Sequence, residues 1–200
     1  MSKTIDYYFS PQSPWAYLGH ARFVALAQAS GSTVRVLPAD FGKVFAVSGG
    51  LPLGKRAPQR QAYRLVELRR FADHLQLPIH AQPQNFPVQG DDAARLIIAV
   101  EMADGAQAAL RLTGAVLSAV WAQQRDIADP AVLAQLLAEN DLDAARLDQS
   151  REATTQQRYE GNIQAAIDAG VFGAPSYCVN GEIFWGQDRL DFLQRKLAGS

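Results

Sequence analysis

Ser13 stands where a strand-like run gives way to a helix, inside Ser10-Pro11-Gln12-Ser13-Pro14-Trp15-Ala16. A serine directly before a proline at such a junction reads as a helix N-cap, its oxygen accepting a backbone amide that has no partner within the helix. The same end of a helix carries partial positive charge and favours anions, so the hydroxyl is also placed to donate a hydrogen bond to a negatively charged ligand atom. Taken alone, Ser13 supports both readings. The chain has no sulfur to put there: its one cysteine, Cys178, lies in the apolar run Ser176-Tyr177-Cys178-Val179 and reads as a small buried hydrophobe. One cysteine outside the first turn cannot run dithiol exchange. His20, His74 and His80 are scattered with no cysteine nearby, which gives no zinc spacing. Arg56, Arg60 and Arg64 follow at i, i+4 and i+8 and share a helix face. Such a stripe is either solvated surface or, for Arg60 at least, a bidentate clamp on a carboxylate.

The elements that must position these residues follow from patterning. Thr4 to Phe9 is β-branched and aromatic and stops at two prolines, which predicts a first strand and its loop. Leu18, Ala21 and Ala25 recur at helical spacing between Trp15 and Ser30, and Gly31 closes that helix. Thr33 to Ala39 then predicts a second strand, parallel to the first by the right-handed β-α-β rule. From Pro58 to about Gly170 the helical period dominates. Leu65, Leu68, Ala72 and Leu75 mark one helix; Ala93, Ile97 and Val100 mark the next, capped by Asp91 or Asp92. Leu110, Thr113, Leu117 and Trp121 mark a third, Asp129-Pro130 opens a fourth, and Tyr159, Ile163, Ala166 and Ile167 mark the last. The stretch before Pro58, with Phe41 and Phe45, reads as a long loop. After Gly170 two short β runs, Ser176 to Val179 and Glu182 to Trp185, flank Asn180-Gly181 as a hairpin, and a final helix runs from about Asp188 to Ala198.

Without the helical block, the order is β-α-β then β-β-α, that of a thioredoxin fold. The predicted class is α/β, thioredoxin-like, as a discontinuous domain of residues 1–57 and 171–200 with a helical insertion over 58–170. In that fold, disulfide oxidoreductases place the reactive Cys-x-x-Cys at the first helix, where the dipole stabilises a thiolate. Ser13 and Ala16 stand at its two ends here. The sulfur is therefore expected to arrive on the ligand, and glutathione is the obvious candidate.

An apolar content of 48% over 200 residues is ample for a packed core and excludes a disordered or fibrous chain. With 19 basic and 20 acidic side chains there is no electrostatic footprint for nucleic acid or an anionic membrane, which leaves a small-molecule partner. The start, Met1 to Ser10, lacks a long apolar stretch, so a cytoplasmic location is expected. Trp15, Tyr17 and Trp185 are packing residues or walls of an aromatic pocket.

Four stretches, YYFSPQSPWAYLG, FPVQGDDAAR, VFGAPSY and FWGQDRLDFL, resemble the 2-hydroxychromene-2-carboxylate isomerases and the related kappa-class glutathione transferases. The resemblance implies a homodimeric, glutathione-dependent isomerase of 2-hydroxychromene-2-carboxylate or a similar aromatic carboxylate, working by thiolate addition, bond rotation and elimination. It implies that Ser13 hydrogen-bonds the glutathione sulfur, that Pro175 is cis, and that Ala174 pairs its backbone with the tripeptide. Gln187 and Asp188 are implied to receive the γ-glutamyl end, and Arg60 to lie near the ligand; Asp188 also reads simply as an acid at the positive end of the last helix. Three departures accompany the likeness. Gly50 stands where the family usually has a glutathione-binding asparagine, Phe86-Pro87-Val88-Gln89 replaces Phe-Pro-x-Asn, and Tyr8-Phe9-Ser10 replaces a Tyr-Asp step. The alternatives are a kappa-like transferase or peroxidase and a non-catalytic glutathione-binding module, the latter favoured by Gly50.

Overall fold

A computed structural model describes residues 3–199. The first strand, β1 (Thr4–Phe9), leads into helix α1 (Pro14–Ala29) and strand β2 (Thr33–Pro38), and the chain returns late with β3 (Ser176–Val179) and β4 (Glu182–Trp185). These form one sheet in the order β2-β1-β3-β4. β1 and β2 are parallel, with Tyr7 opposite Val36. β3 runs antiparallel to β1, with Tyr7 opposite Tyr177 and Tyr8 opposite Ser176. Asn180 and Gly181, at φ 51° and 80°, make the left-handed turn that joins β3 to β4.

Between β2 and β3 the chain is helical. The segment expected to be a loop contains α2 (Phe41–Ser48), which the Asp40 carboxylate caps by accepting from the Gly42 N–H at 2.7 Å. α3 (Pro58–Leu75), α4 (Asp91–Asp104), α5 (Ala106–Trp121) and α6 (Pro130–Glu139) follow. A single turn, α7 (Arg146–Gln149), precedes α8 (Ala153–Asp168). Gly90 is the N-cap of α4, whereas Asp91 is its first helical residue and accepts a hydrogen bond from the Tyr159 hydroxyl at 2.8 Å. A 3-10 turn over Gln187–Arg189 introduces α9 (Leu190–Ala198).

Both halves contribute to one apolar cluster: Tyr7, Phe9 and Phe23 bury together with Leu96, Ile97, Leu117 and Trp121. His20 bridges them inside that core. Its Nδ1 is 3.3 Å from the Tyr7 hydroxyl and its Nε2 is 2.9 Å from the Leu110 carbonyl oxygen, tying α1 to α5. Burial pushes the imidazole pKa down to about 4, so the ring is neutral. Among the described residues no helix is long and apolar enough to cross a membrane.

Candidate active site

Ser13 caps α1 with extended backbone angles, and its Oγ accepts from the Ala16 N–H at 3.2 Å. Pro14 occupies the first helical position, where a missing N–H costs nothing. The residue is buried, and its hydroxyl proton has no acceptor among the described residues. No acidic side chain lies in the first turn of α1. An N-terminal helix end with one spare N–H, that of Trp15, one spare O–H and no competing carboxylate suits a sulfur anion.

The second wall comes from the far end of the sequence. Because Tyr8 pairs with Ser176, the chain leaving β1 toward Ser13 is a neighbour of the chain entering β3 from Pro175. The Ala174–Pro175 bond is cis. Ala174 precedes the strand ladder, and its backbone N–H and C=O have no hydrogen-bond partner among the described residues, which leaves a short edge open to a peptide-like ligand. The Gly186 N–H donates to the Pro175 carbonyl at 2.9 Å and so binds the Gly186–Arg189 turn to this loop. At φ 106°, with an added Cβ only 2.5 Å from the Asp188 Oδ1, position 186 admits only glycine. Asp188 is exposed and pairs with its neighbour Arg189 at 2.7 Å.

Gln187 departs from expectation. It is only 2% exposed, and its side-chain oxygen and its backbone carbonyl both accept from Arg22 of α1, the latter at 3.0 Å. The side chain packs toward Gly19, where a Cβ would come within 2.9 Å of both Gln187 and the Tyr177 hydroxyl. Gln187 thus anchors the turn that carries Asp188 through its two oxygens, while its side-chain Nε2 has no acceptor among the described residues. Arg22 is the residue missed from sequence; its only signal was an arginine inside an otherwise apolar helix.

The arginine stripe separates in the fold. Arg60, in the first turn of α3, is exposed and makes no hydrogen bond or ion pair with Ser13, Ala174 or Asp188. Arg56 is half-buried and donates to the Leu51 carbonyl at 2.8 Å. Arg64 is half-buried over the rings of Phe86 and Trp121. At Gly50, a Cβ would stand 2.2 Å from Phe45 Cδ1, so a ring fills the space an asparagine would need. Gln89 is exposed on the loop that follows the cis Phe86–Pro87 bond. Cys178 is buried, and desolvation with Asp6 nearby pushes its pKa up to about 12, so it stays a thiol.

Comparison with known proteins agrees with this geometry. The profile of the DSBA-like thioredoxin domain matches residues 4–198. A 2-hydroxychromene-2-carboxylate isomerase of Sphingobium xenophagum is 30% identical over 199 residues, which span 98% of this chain and 99% of that protein. Glutathione S-transferase kappa 1 of Homo sapiens is 22% identical over 214 residues, spanning 98% of this chain and 92% of its own length. A solved structure of a 2-hydroxychromene-2-carboxylate isomerase, 27% identical, superposes with a TM-score of 0.81 over 98% of this chain and 94% of the other. With sheet order, the capped first turn and full-length likeness in accord, the chain belongs to the 2-hydroxychromene-2-carboxylate isomerase family of DSBA-like thioredoxin proteins.

Proposed function

We propose that this chain is a glutathione-dependent isomerase of 2-hydroxychromene-2-carboxylate or a closely similar aromatic carboxylate. The observation that carries the reading is a buried helix-capping serine with an unclaimed hydroxyl proton, at the turn where a thiol-using relative needs its sulfur stabilised. The surrounding groups fit the tripeptide: Ala174 offers an unpaired backbone edge, and the exposed carboxylate of Asp188 suits the γ-glutamyl ammonium. When bound, glutathione supplies a thiolate able to add to the conjugated bond, permit rotation and leave by elimination. Ser13 donates its Oγ proton to the sulfur, and the N-terminal end of α1 holds the negative charge, keeping the thiol ionised at neutral pH. Arg22 keeps Asp188 in place through Gln187. The proposed compartment is the cytoplasm, where free glutathione is abundant and an unpaired cysteine such as Cys178 stays reduced.

The test follows the ultraviolet spectrum of 2-hydroxychromene-2-carboxylate with enzyme, with and without glutathione. A change that requires both is expected; none at high enzyme concentration removes the substrate assignment. The likeness to the human kappa transferase favours a second reading, conjugation of glutathione to electrophiles. Turnover of 1-chloro-2,4-dinitrobenzene, lost in Ser13→Ala, with an unchanged chromene spectrum would select it. A non-catalytic glutathione-binding module would show a glutathione-induced rise in Tm and neither activity.

A further inference from the structure

The strip of chain from Gly49 to Gly90 carries six basic and only two acidic side chains, in a protein whose net charge is −1. One of the two acids, Glu67, is already paired with Arg70 at 2.9 Å. Inside this strip Arg64 is half-buried, its guanidinium carbon 5.2 Å from the Phe86 ring centroid and 5.6 Å from that of Trp121. It makes no hydrogen bond and no ion pair among the described residues. Arg56, also half-buried, stands near enough to repel it, and burial together with that repulsion pushes the Arg64 pKa down to about 10. The indole N–H of fully buried Trp121 has no acceptor among the described residues either.

Desolvating one cation beside another without an anion is unfavourable, and a buried charge is ordinarily paired. A guanidinium lying over two rings has its face satisfied and its edge free, and that edge is the fork that grips a carboxylate with two parallel hydrogen bonds. The segment that starts under Arg64 at Phe86 ends at Gly90, where a Cβ would lie 3.7 Å from Pro11 and 3.9 Å from Gln12, the residues just before Ser13. The arginine shelf and the thiolate turn are thus joined by one short loop.

We propose that the Arg64 edge, supported by Arg56 and backed by Phe86 and Trp121, is the subsite for the carboxylate of an aromatic ligand. The identity of that ligand as substrate rests on the isomerase reading above; the binding site itself does not need glutathione. Arg60, singled out by the family likeness, is solvated and peripheral to this grip.

Isothermal titration with 2-naphthoate, and with uncharged 2-naphthamide, tests the site in the absence of glutathione. Naphthoate is expected to bind the unaltered protein and to lose tenfold or more in affinity in Arg64→Met, which keeps an apolar stem on the rings but has no charge. Arg64→Lys, with charge but no fork, should lose several-fold, and naphthamide should be indifferent to both changes. Removing an unpaired half-buried cation should also raise the Tm of Arg64→Met. Equal naphthoate affinity in the unaltered protein and Arg64→Met, or no naphthoate binding to the unaltered protein, overturns the proposal. A loss of glutathione affinity in Arg64→Met with naphthoate unaffected overturns it too, since the arginine would then serve the tripeptide. If Arg64→Met does not fold, the Arg64→Lys titration decides by the same criterion. Failure of the chromene assay with naphthoate binding intact would remove the isomerase reading and leave the anion site standing.

Discussion

Ser13 and His20 stand about two turns apart on the same helix and use their polar atoms in opposite ways. Both nitrogens of His20 are engaged, by Tyr7 and by the Leu110 carbonyl, and the ring is closed off in the core. Ser13 spends its oxygen on the Ala16 amide and keeps its proton unassigned at the open end of the helix. A polar group with all its hydrogen-bonding capacity used up holds a structure together. One with capacity left over, at a charged helix end, is available for chemistry. Arg22 stands between them, its Nη2 held by Gln187 while its buried Nε has no acceptor among the described residues; Arg64 belongs with Ser13.

The sharpest way to break this contrast is Ser13→Ala. Losing one donor to a developing or resident anion should cost about 100- to 1000-fold in kcat/KM for the glutathione-dependent reaction. Stability should fall by only about 1 kcal/mol, the worth of a helix cap. Steady-state rates and urea unfolding of the same preparation measure both. A variant that loses stability but not rate would return Ser13 to a capping role alone.

His20 should show the inverse profile, in stability and not in rate. Its folded pKa is about 4 against roughly 6.5 when unfolded, so between those values the unfolded chain binds more protons. The stability is fully present above pH 6.5 and lost as pH falls toward 4, about 3 kcal/mol in all. Urea melts at pH 7 and pH 4.5 would show it, and His20→Gln, which cannot titrate, should flatten that part of the slope.

Arg22→Met tests the anchor. Unpairing the buried carbonyl of Gln187 should cost about 1–3 kcal/mol, and the freed Asp188 turn should raise the KM for glutathione several-fold while kcat changes little. A fall in kcat with an unchanged KM would place Arg22 in the chemistry instead. Gly50→Asn is expected to cost about 1–2 kcal/mol by forcing the Phe45 ring aside, and to bring no gain in glutathione affinity. Thermal melts, alone and with glutathione, check both halves, and an affinity gain would show that the ring yields readily.

These residues also divide by how visible they were. The cap at Ser13, the helix start at Asp129-Pro130 and the Asn180-Gly181 hairpin obey short-range rules and could be read directly. The element order then carried the thioredoxin-like architecture, and the family likeness anticipated the cis bond before Pro175. Helix α2 was hidden because Phe41-Gly42-Lys43-Val44-Phe45 has weak helical propensity, and its Asp40 cap and its packing against the rest of the chain override that preference. Arg22 and Gln187 meet across 165 residues, a contact no local pattern encodes. The stripe Arg56, Arg60, Arg64 was visible as a stripe. Which member enters the protein depends on where Phe86 and Trp121 lie, and that is a property of the packed fold.

The smallest expected effect concerns the one thiol in the chain. Cys178 is 7% exposed and its pKa is pushed up to about 12 by burial and by Asp6, so at pH 8 only about one thiol in ten thousand is ionised. Iodoacetamide should leave the native protein unmodified at pH 8 and alkylate it fully in urea, a difference that intact-mass measurement reads directly. Cys178→Ala should cost roughly 1 kcal/mol of packing and leave glutathione-dependent turnover unchanged. If turnover instead fell with Cys178, the protein would be supplying a thiol after all, and Ser13 would lose its claim to act on a sulfur carried in by the ligand.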